Sequence, residues 1–231
     1  MSTRVTPLTL SGIEQLPAHA RRCVFWEMEP AAVDDARGFV DAEFEKEAWL
    51  SMVMLEWGSC AQVATIDDKT AGCAFYAPPN MVPRARLFPT SPVSADAILL
   101  TTMRIEPLAA DTALGSDLIR AVVDDLVRRN VRALEAFGFR AGGEPESSTG
   151  QVPTATAALA CSPSECMLPA DFLEDMGFDV VAPHPRFPRL RLELNRDHGW
   201  KEEVEAALDR LIESASFTIE DFAGRSTVGV P

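Results

Sequence analysis

Residues 95–138 read ADAILLTTMRIEPLAADTALGSDLIRAVVDDLVRRNVRALEAFG, and three hydrophobic patterns follow one another within them. Asp96 to Ile105 is a run of strand formers, closed by Glu106 and by Pro107, which cannot donate to a ladder. From about Ala113 to Asn130, Leu114, Leu118, Val122 and Leu126 recur every fourth residue, which is the apolar stripe of an amphipathic helix. Val131 to Phe137 returns to strand formers. A strand, a helix of this length and a second strand make a βαβ unit, because the helix carries the chain back far enough for the strands to run parallel with a right-handed crossover. The fold class is therefore α/β.

Working outward, Ser11-Gly12-Ile13-Glu14 has the S-x-x-E form of a capping box and predicts a short N-terminal helix within residues 11–20. Arg21 to Glu27 reads as a strand. Helical spacing then runs from Pro30 through Ala36, Val40, Phe44, Trp49 and Val53 to Gly58, a C-cap. Cys60 to Ile66 and Thr70 to Ala77 are strand-like runs around an Asp67-Asp68-Lys69 hairpin turn. Prolines at 78, 79, 83, 89 and 92 predict a stiff, irregular loop that carries Arg84 and Arg86, placed to orient an acidic substrate or the cofactor's phosphates or, as is more usual, held as solvated charges. Residues 141–164, rich in Gly, Ser, Thr, Pro and Ala, read as a mobile insertion. A short helix over Pro169 to Met176 stops at Gly177, two strands follow (Phe178 to Val181 and Leu190 to Leu194), and Trp200, Val204, Leu208 and Leu211 line one face of an amphipathic C-terminal helix over 199–214. That face docks on the core or on a second copy of the chain. One domain over 1–231 is expected.

The formal charge of -14 excludes a phosphate-backbone partner, since nucleic-acid affinity is built from clustered Lys and Arg, and it suits an amine-bearing one. No apolar run reaches the roughly 18 residues that span a bilayer, and no signal-peptide layout opens the chain, so a cytoplasmic protein with no membrane partner is expected. The five cysteines are scattered and form no CxxC pair, so reduced thiols are expected. Cys161, Cys166, His184 and His198 fit no common metal spacing, and no metal is expected.

The turn after Ile105 leads into a helix N-terminus, whose unpaired N–H groups and partial positive charge suit phosphates. Ile105-Glu106-Pro107 followed by Ala110-Asp111-Thr112-Ala113-Leu114-Gly115 resembles the acetyl-CoA motif of the GNAT superfamily of N-acetyltransferases. That motif reads V-x-P, then R/Q-x-x-G-x-G/A. Element order extends the resemblance from Arg21 to Leu194, and Arg22 to Glu27, Leu55 to Gly58, Phe88 to Pro92 and Pro188 to Leu192 look like a bacterial subfamily without assigned substrates.

The resemblance implies a mixed central sheet flanked by helices, with a splayed parallel strand pair. It implies acetyl-CoA as cosubstrate and no metal. Pantetheine would lie along Met103, Arg104 and Ile105, and the pyrophosphate on Ala110, Asp111, Thr112, Ala113, Leu114, Gly115 and Ser116. The implied reaction is direct attack of a primary amine of a small molecule, peptide or protein on the thioester.

Several positions depart from the family pattern. Ala110 replaces the Arg or Gln, Ala113 the first Gly, and Leu173 the Tyr that protonates the leaving thiolate; the Asn common earlier in that helix is Cys166. Asp111 would oppose a pyrophosphate, and Asp111 or Thr112 would, as a helix cap, occupy the same amides. The alternative is a GNAT-fold binding or regulatory module without turnover. For the base, Glu135 sits among apolar residues of like strand parity, where desolvation would raise its pKa; the competing reading is a structural ion pair with an Arg. Glu56 and Asp96 are the other candidates.

Overall fold

Asp67 and Asp68 take φ of 47° and 63°, the left-handed conformation of a tight hairpin turn, and join β2 (Ala61–Ile66) to β3 (Lys69–Ala77). The structure, a computed structural model, describes residues 3–29, 41–109, 113–141 and 161–194. The expected C-terminal helix, the start of the long helix after Pro30, residues 110–112 of the motif and residues 142–160 of the expected insertion lie outside the described residues.

The described strands form one mixed sheet in the order β1-β2-β3-β4-β5-β8-β7, with β1 (Thr3–Pro7), β4 (Ala97–Ile105), β5 (Ala133–Phe139), β7 (Asp179–Ala182) and β8 (Arg189–Glu193). Only β4 and β5 pair in parallel along this path, over Ala97↔Ala133 to Leu100↔Ala136. The predicted strand over Arg21 to Glu27 is not formed: α1 (Ala18–Arg22) runs into it and a turn follows. The capping-box segment is a 3-10 turn, Leu10–Gln15, in which Ser11 Oγ meets Thr9 Oγ1 rather than capping. The first sheet edge is instead β1, whose alternation was hidden by its exposure on both faces.

The cause of the strand splay is local. Tyr76 pairs with Leu100 but Phe75 with Thr102, so Thr101 is an extra residue in β4, its hydroxyl donating to Phe75 O at 3.1 Å. Such a bulge bends its strand, and the pairing of β4 with β5 ends at Leu100, immediately before it. Beyond it a two-residue strand, β6 (Leu168–Pro169), takes the vacated edge of β5 through Gly138↔Leu168 and Phe139↔Pro169.

Two apolar layers cover the sheet. On one face α1 and α2 (Ala42–Glu56) pack with Trp26, Phe75, Leu99 and Phe137, and the stacked rings of Trp26, Phe88 and Phe137 lie 5.1 and 4.5 Å apart. Asp41 caps α2, accepting from the backbone N–H groups of Glu43 and Phe44. On the other face Leu114, Leu118, Val122 and Leu126 of α3 (Leu114–Arg128) and Leu173 of α5 (Ala170–Asp175) cover Ala74, Leu100, Leu134 and Ala136. A one-turn helix, α4 (Pro163–Cys166), precedes β6. The predicted α3 stripe is the buried face observed.

Candidate active site

The wedge between β4 and β5 and the N-terminus of α3 are the parts of the fold shaped for a ligand. Met103, Arg104 and Ile105, on the free stretch of β4, are each half-buried. Arg104 Nε forms an ion pair with Glu106 at 3.7 Å, too long for a hydrogen bond, and is buried without a hydrogen-bond partner among the described residues. Ala113 stands at the N-cap of α3 and has no side-chain oxygen to cap the helix. A Cβ on Gly115 would lie 3.3 Å from Ile105 and from the Phe172 ring, so glycine lets the helix start close against β4 and α5. The site residues Ala110, Asp111 and Thr112 are not among the described residues.

Two of the three candidate bases, Glu135 and Asp96, are engaged in ion pairs. Glu135 pairs with Leu99, before the bulge, and is buried with both oxygens engaged. Oε2 accepts from Ser94 N at 3.2 Å and from Arg189, and Oε1 accepts from Arg191 at 3.1 Å. Desolvation acts to raise its pKa, but the hydrogen bonds from Ser94, Arg189 and Arg191 outweigh it and the net shift is downward. That is the geometry of an ion pair and the opposite of the upward shift expected from the apolar neighbours. Asp96 precedes β4 at the end away from the motif and is gripped by both Arg191 nitrogens at 3.0 Å, which lowers its pKa. Glu56 is exposed at the end of α2.

Leu173, where a family tyrosine would stand, is fully buried. Tyr76 does not replace it. Its hydroxyl donates to Asp125 at 2.8 Å and accepts from Gln62 at 2.9 Å, and burial together with the Asp125 carboxylate pushes its pKa up.

The opposite face holds charges that sequence reading missed. Lys46 donates to Glu27 at 2.5 Å, both side chains 1% exposed, with the Lys46 ammonium 4.3 Å from the Phe75 ring centroid. The sequence reading placed Lys46 only within a helical run, because no local pattern reveals that it turns inward. Arg84, expected as a solvated loop charge, is 1% exposed and lies over the Phe25 ring at 4.1 Å. Arg86 is exposed as expected and pairs with Glu29. Nearby, His19, Cys23, Cys161 and Cys166 converge, a grouping that differs from the set weighed from sequence. Hydrogen bonds with Cys166 and Cys23 pull the Cys161 thiol pKa down against desolvation, while those with Cys161 and Cys23 push the Cys166 thiol up. No described helix is long and apolar enough to cross a membrane.

No family model matches the sequence, and no curated protein does. Solved structures do match. The protein yncA of Salmonella typhimurium, assigned as an acetyltransferase and solved with its cofactor acetyl-CoA, is 12% identical with a TM-score of 0.50, over 85% of this chain and 96% of its own. A protein of Desulfovibrio desulfuricans assigned as a GNAT-family acetyltransferase is 19% identical, with a TM-score of 0.44 over 84% of this chain and 99% of its own. PaiA N-acetyltransferase of Thermoplasma acidophilum, solved with coenzyme A, is 12% identical, with a TM-score of 0.49 over 84% and 99%. The described residues share the fold of the Salmonella typhimurium structure: a mixed sheet with a splayed parallel pair, flanked by helices.

Proposed function

We propose that the chain is an acetyl-CoA-dependent N-acetyltransferase that transfers acetyl to a primary amine by direct attack. The observation that carries this reading is the bulge at Thr101, which opens β4 from β5 beside a helix N-terminus. The Salmonella typhimurium protein of this fold holds acetyl-CoA as its cofactor. Acetyl-CoA would supply the activated acyl group. In this chain the free edge of Met103, Arg104 and Ile105 would bind the pantetheine amides, and the N–H groups of Leu114, Gly115 and Ser116 would face the pyrophosphate.

Neither Glu135 nor Asp96 suits the base role. A base for an ammonium group works best with a pKa near the operating pH, and hydrogen bonds hold Glu135 and Asp96 below the ordinary carboxylate value. The proton of the amine would then pass to water at the wedge mouth, and the leaving thiolate would likewise take its proton from water, since Leu173 offers none. The acceptor is an amine on a small molecule, peptide or protein, in keeping with the net charge of -14.

A binding or regulatory module without turnover is the second reading. It is favoured by β6, which occupies the edge of β5 and leaves only the β4 edge for a ligand. Calorimetric titration with acetyl-CoA and mass spectrometry of a mixed amine panel test both. Millimolar or tighter binding with acetylated product supports the enzyme, binding without product supports the module, and no binding by wild type or by Asp111→Gly removes both.

A further inference from the structure

Four side chains remote in sequence meet on the α1 face of the sheet. His19 and Cys23 stand one helical turn apart on and just after α1, Cys161 lies two residues before α4, and Cys166 is the last residue of α4. Their ligand atoms all lie within 4.8 Å of one another. Cys23 Sγ is 3.6 Å from Cys166 Sγ and 3.5 Å from Cys161 Sγ, and Cys166 Sγ is 3.7 Å from His19 Nε2.

These separations decide between two chemistries. A disulfide holds its sulfurs about 2.05 Å apart. A tetrahedral zinc with bonds of about 2.3 Å to sulfur and about 2.0 Å to nitrogen puts its ligands about 3.7 Å apart for a sulfur pair and about 3.5 Å for sulfur and nitrogen. The three distances agree with those tetrahedron edges.

A second observation concerns charge. Arg84 is 1% exposed, and its Nε and Nη1 have no hydrogen-bond partner among the described residues. After desolvation, the groups acting most strongly on its charge are Cys161, Cys166 and Cys23, followed by Glu27. Glu27 is already matched by Lys46, and that pair sums to zero whichever of the two holds the shared proton. One buried positive charge therefore remains. Three thiolates and a neutral imidazole on a divalent cation carry a net charge of -1, which balances it.

We infer that His19, Cys23, Cys161 and Cys166 form a structural Cys3His zinc site that fastens α1 to the α4–β6 segment. The soft thiolate set selects zinc over magnesium or calcium, and four protein ligands leave no open position for substrate, so the role is structural. Binding is ligand exchange without redox change: each bound thiol gives up its proton to solvent as the sulfur–zinc bond forms.

The test is metal analysis of the untagged full chain purified without chelator. About one zinc per chain is expected, with replacement by Co2+ giving the strong visible absorption of tetrahedral cobalt–thiolate. Cys161→Ser and Cys166→Ser should lose most of the zinc, while Cys60→Ala, a buried thiol outside the cluster, should keep it. Absence of zinc and of a cobalt spectrum in the folded wild type overturns the inference, whatever the variants do. So does an intact mass showing a disulfide among these three cysteines, or zinc content unchanged in both serine variants. None of these readouts depends on acetyl transfer.

Discussion

Glu135→Gln keeps the shape of the side chain and removes its charge, so it separates an ion-pair role from a base. In the wild type the carboxylate is 0% exposed and faces Arg189 and Arg191, whose side chains are 13% and 14% exposed. Removing one member of a buried pair costs about 3–5 kcal/mol, because the other charge stays buried. Arg191 keeps Asp96 and Glu193, which places the cost at the lower end, about 3 kcal/mol. For a domain of this size that is a fall in Tm of roughly 6–12 °C at pH 7. The folded-state pKa of Glu135 is lowered, so its contribution is fully present above the unfolded carboxylate value and lost as pH falls through the folded one. The Tm gap between wild type and variant should thus hold constant down to about pH 5 and narrow below it. Differential scanning calorimetry over that range, with turnover per folded molecule measured on the same preparation, is the assay. A Tm within a degree or two of wild type, or a turnover loss of about 10²-fold or more in a stably folded variant, would refute the ion-pair reasoning.

Lys46→Met should cost about 3–5 kcal/mol by stranding Glu27, and Glu27→Gln in the same chain should restore at least half of that; urea denaturation of both single variants and the double variant checks the coupling. Tyr76→Phe leaves the Gln62 amide buried without its acceptor and should cost about 1–3 kcal/mol in urea melts. Gly138→Ala puts a Cβ 2.8 Å from Leu190 Cδ1 and 2.9 Å from Ala170 Cβ, which should cost about 1–3 kcal/mol and speed amide exchange at Leu168. Asp111→Gly should tighten acetyl-CoA binding by calorimetry; equal affinities would show that the Asp111 charge does not reach the phosphates.

The βαβ unit was legible because its patterns are strong: the α3 stripe is all core, and β4 and β5 are runs of strand formers buried along most of their length. The hairpin turn was legible from Asp67-Asp68, whose short polar side chains tolerate φ above zero. The bulge was not, since Thr101-Thr102 has the same strand propensity in or out of register. The strand expected at Arg21 to Glu27 failed because the burial of Cys23, Val24, Phe25 and Trp26 is continuous and carries no period to distinguish a strand from a turn packed into the core. Glu135 was placed correctly among apolar neighbours of its own strand. Its partners come from β8 and from the loop before β4, and cross-strand contacts have no local signature. The cysteine cluster was invisible for the same reason: Cys23 and Cys161 are 138 residues apart.

Residues 161–169 belong to both readings of the chain, and that gives a test of how they combine. Cys161 and Cys166 face His19 and Cys23, while Leu168 and Pro169 occupy the edge that β5 exposes beyond the bulge. A metal that fixes the two sulfurs fixes the start of β6 two residues later, so it sets how much of the wedge remains for a pantetheine chain. With zinc bound, β6 should stay on β5 and the amide of Leu168 should exchange slowly. Stripping zinc with a chelator should speed that exchange and change the acetyl-CoA affinity, because the β5 edge then becomes free to open. The direction of the change is informative. Tighter binding without zinc means that β6 competes with the cofactor for the wedge. Weaker binding means that the metal-held segment forms one of its walls. An affinity identical in both forms, with exchange at Leu168 altered, would place the cofactor wholly on the β4 edge, where only Met103, Arg104 and Ile105 would meet the pantetheine.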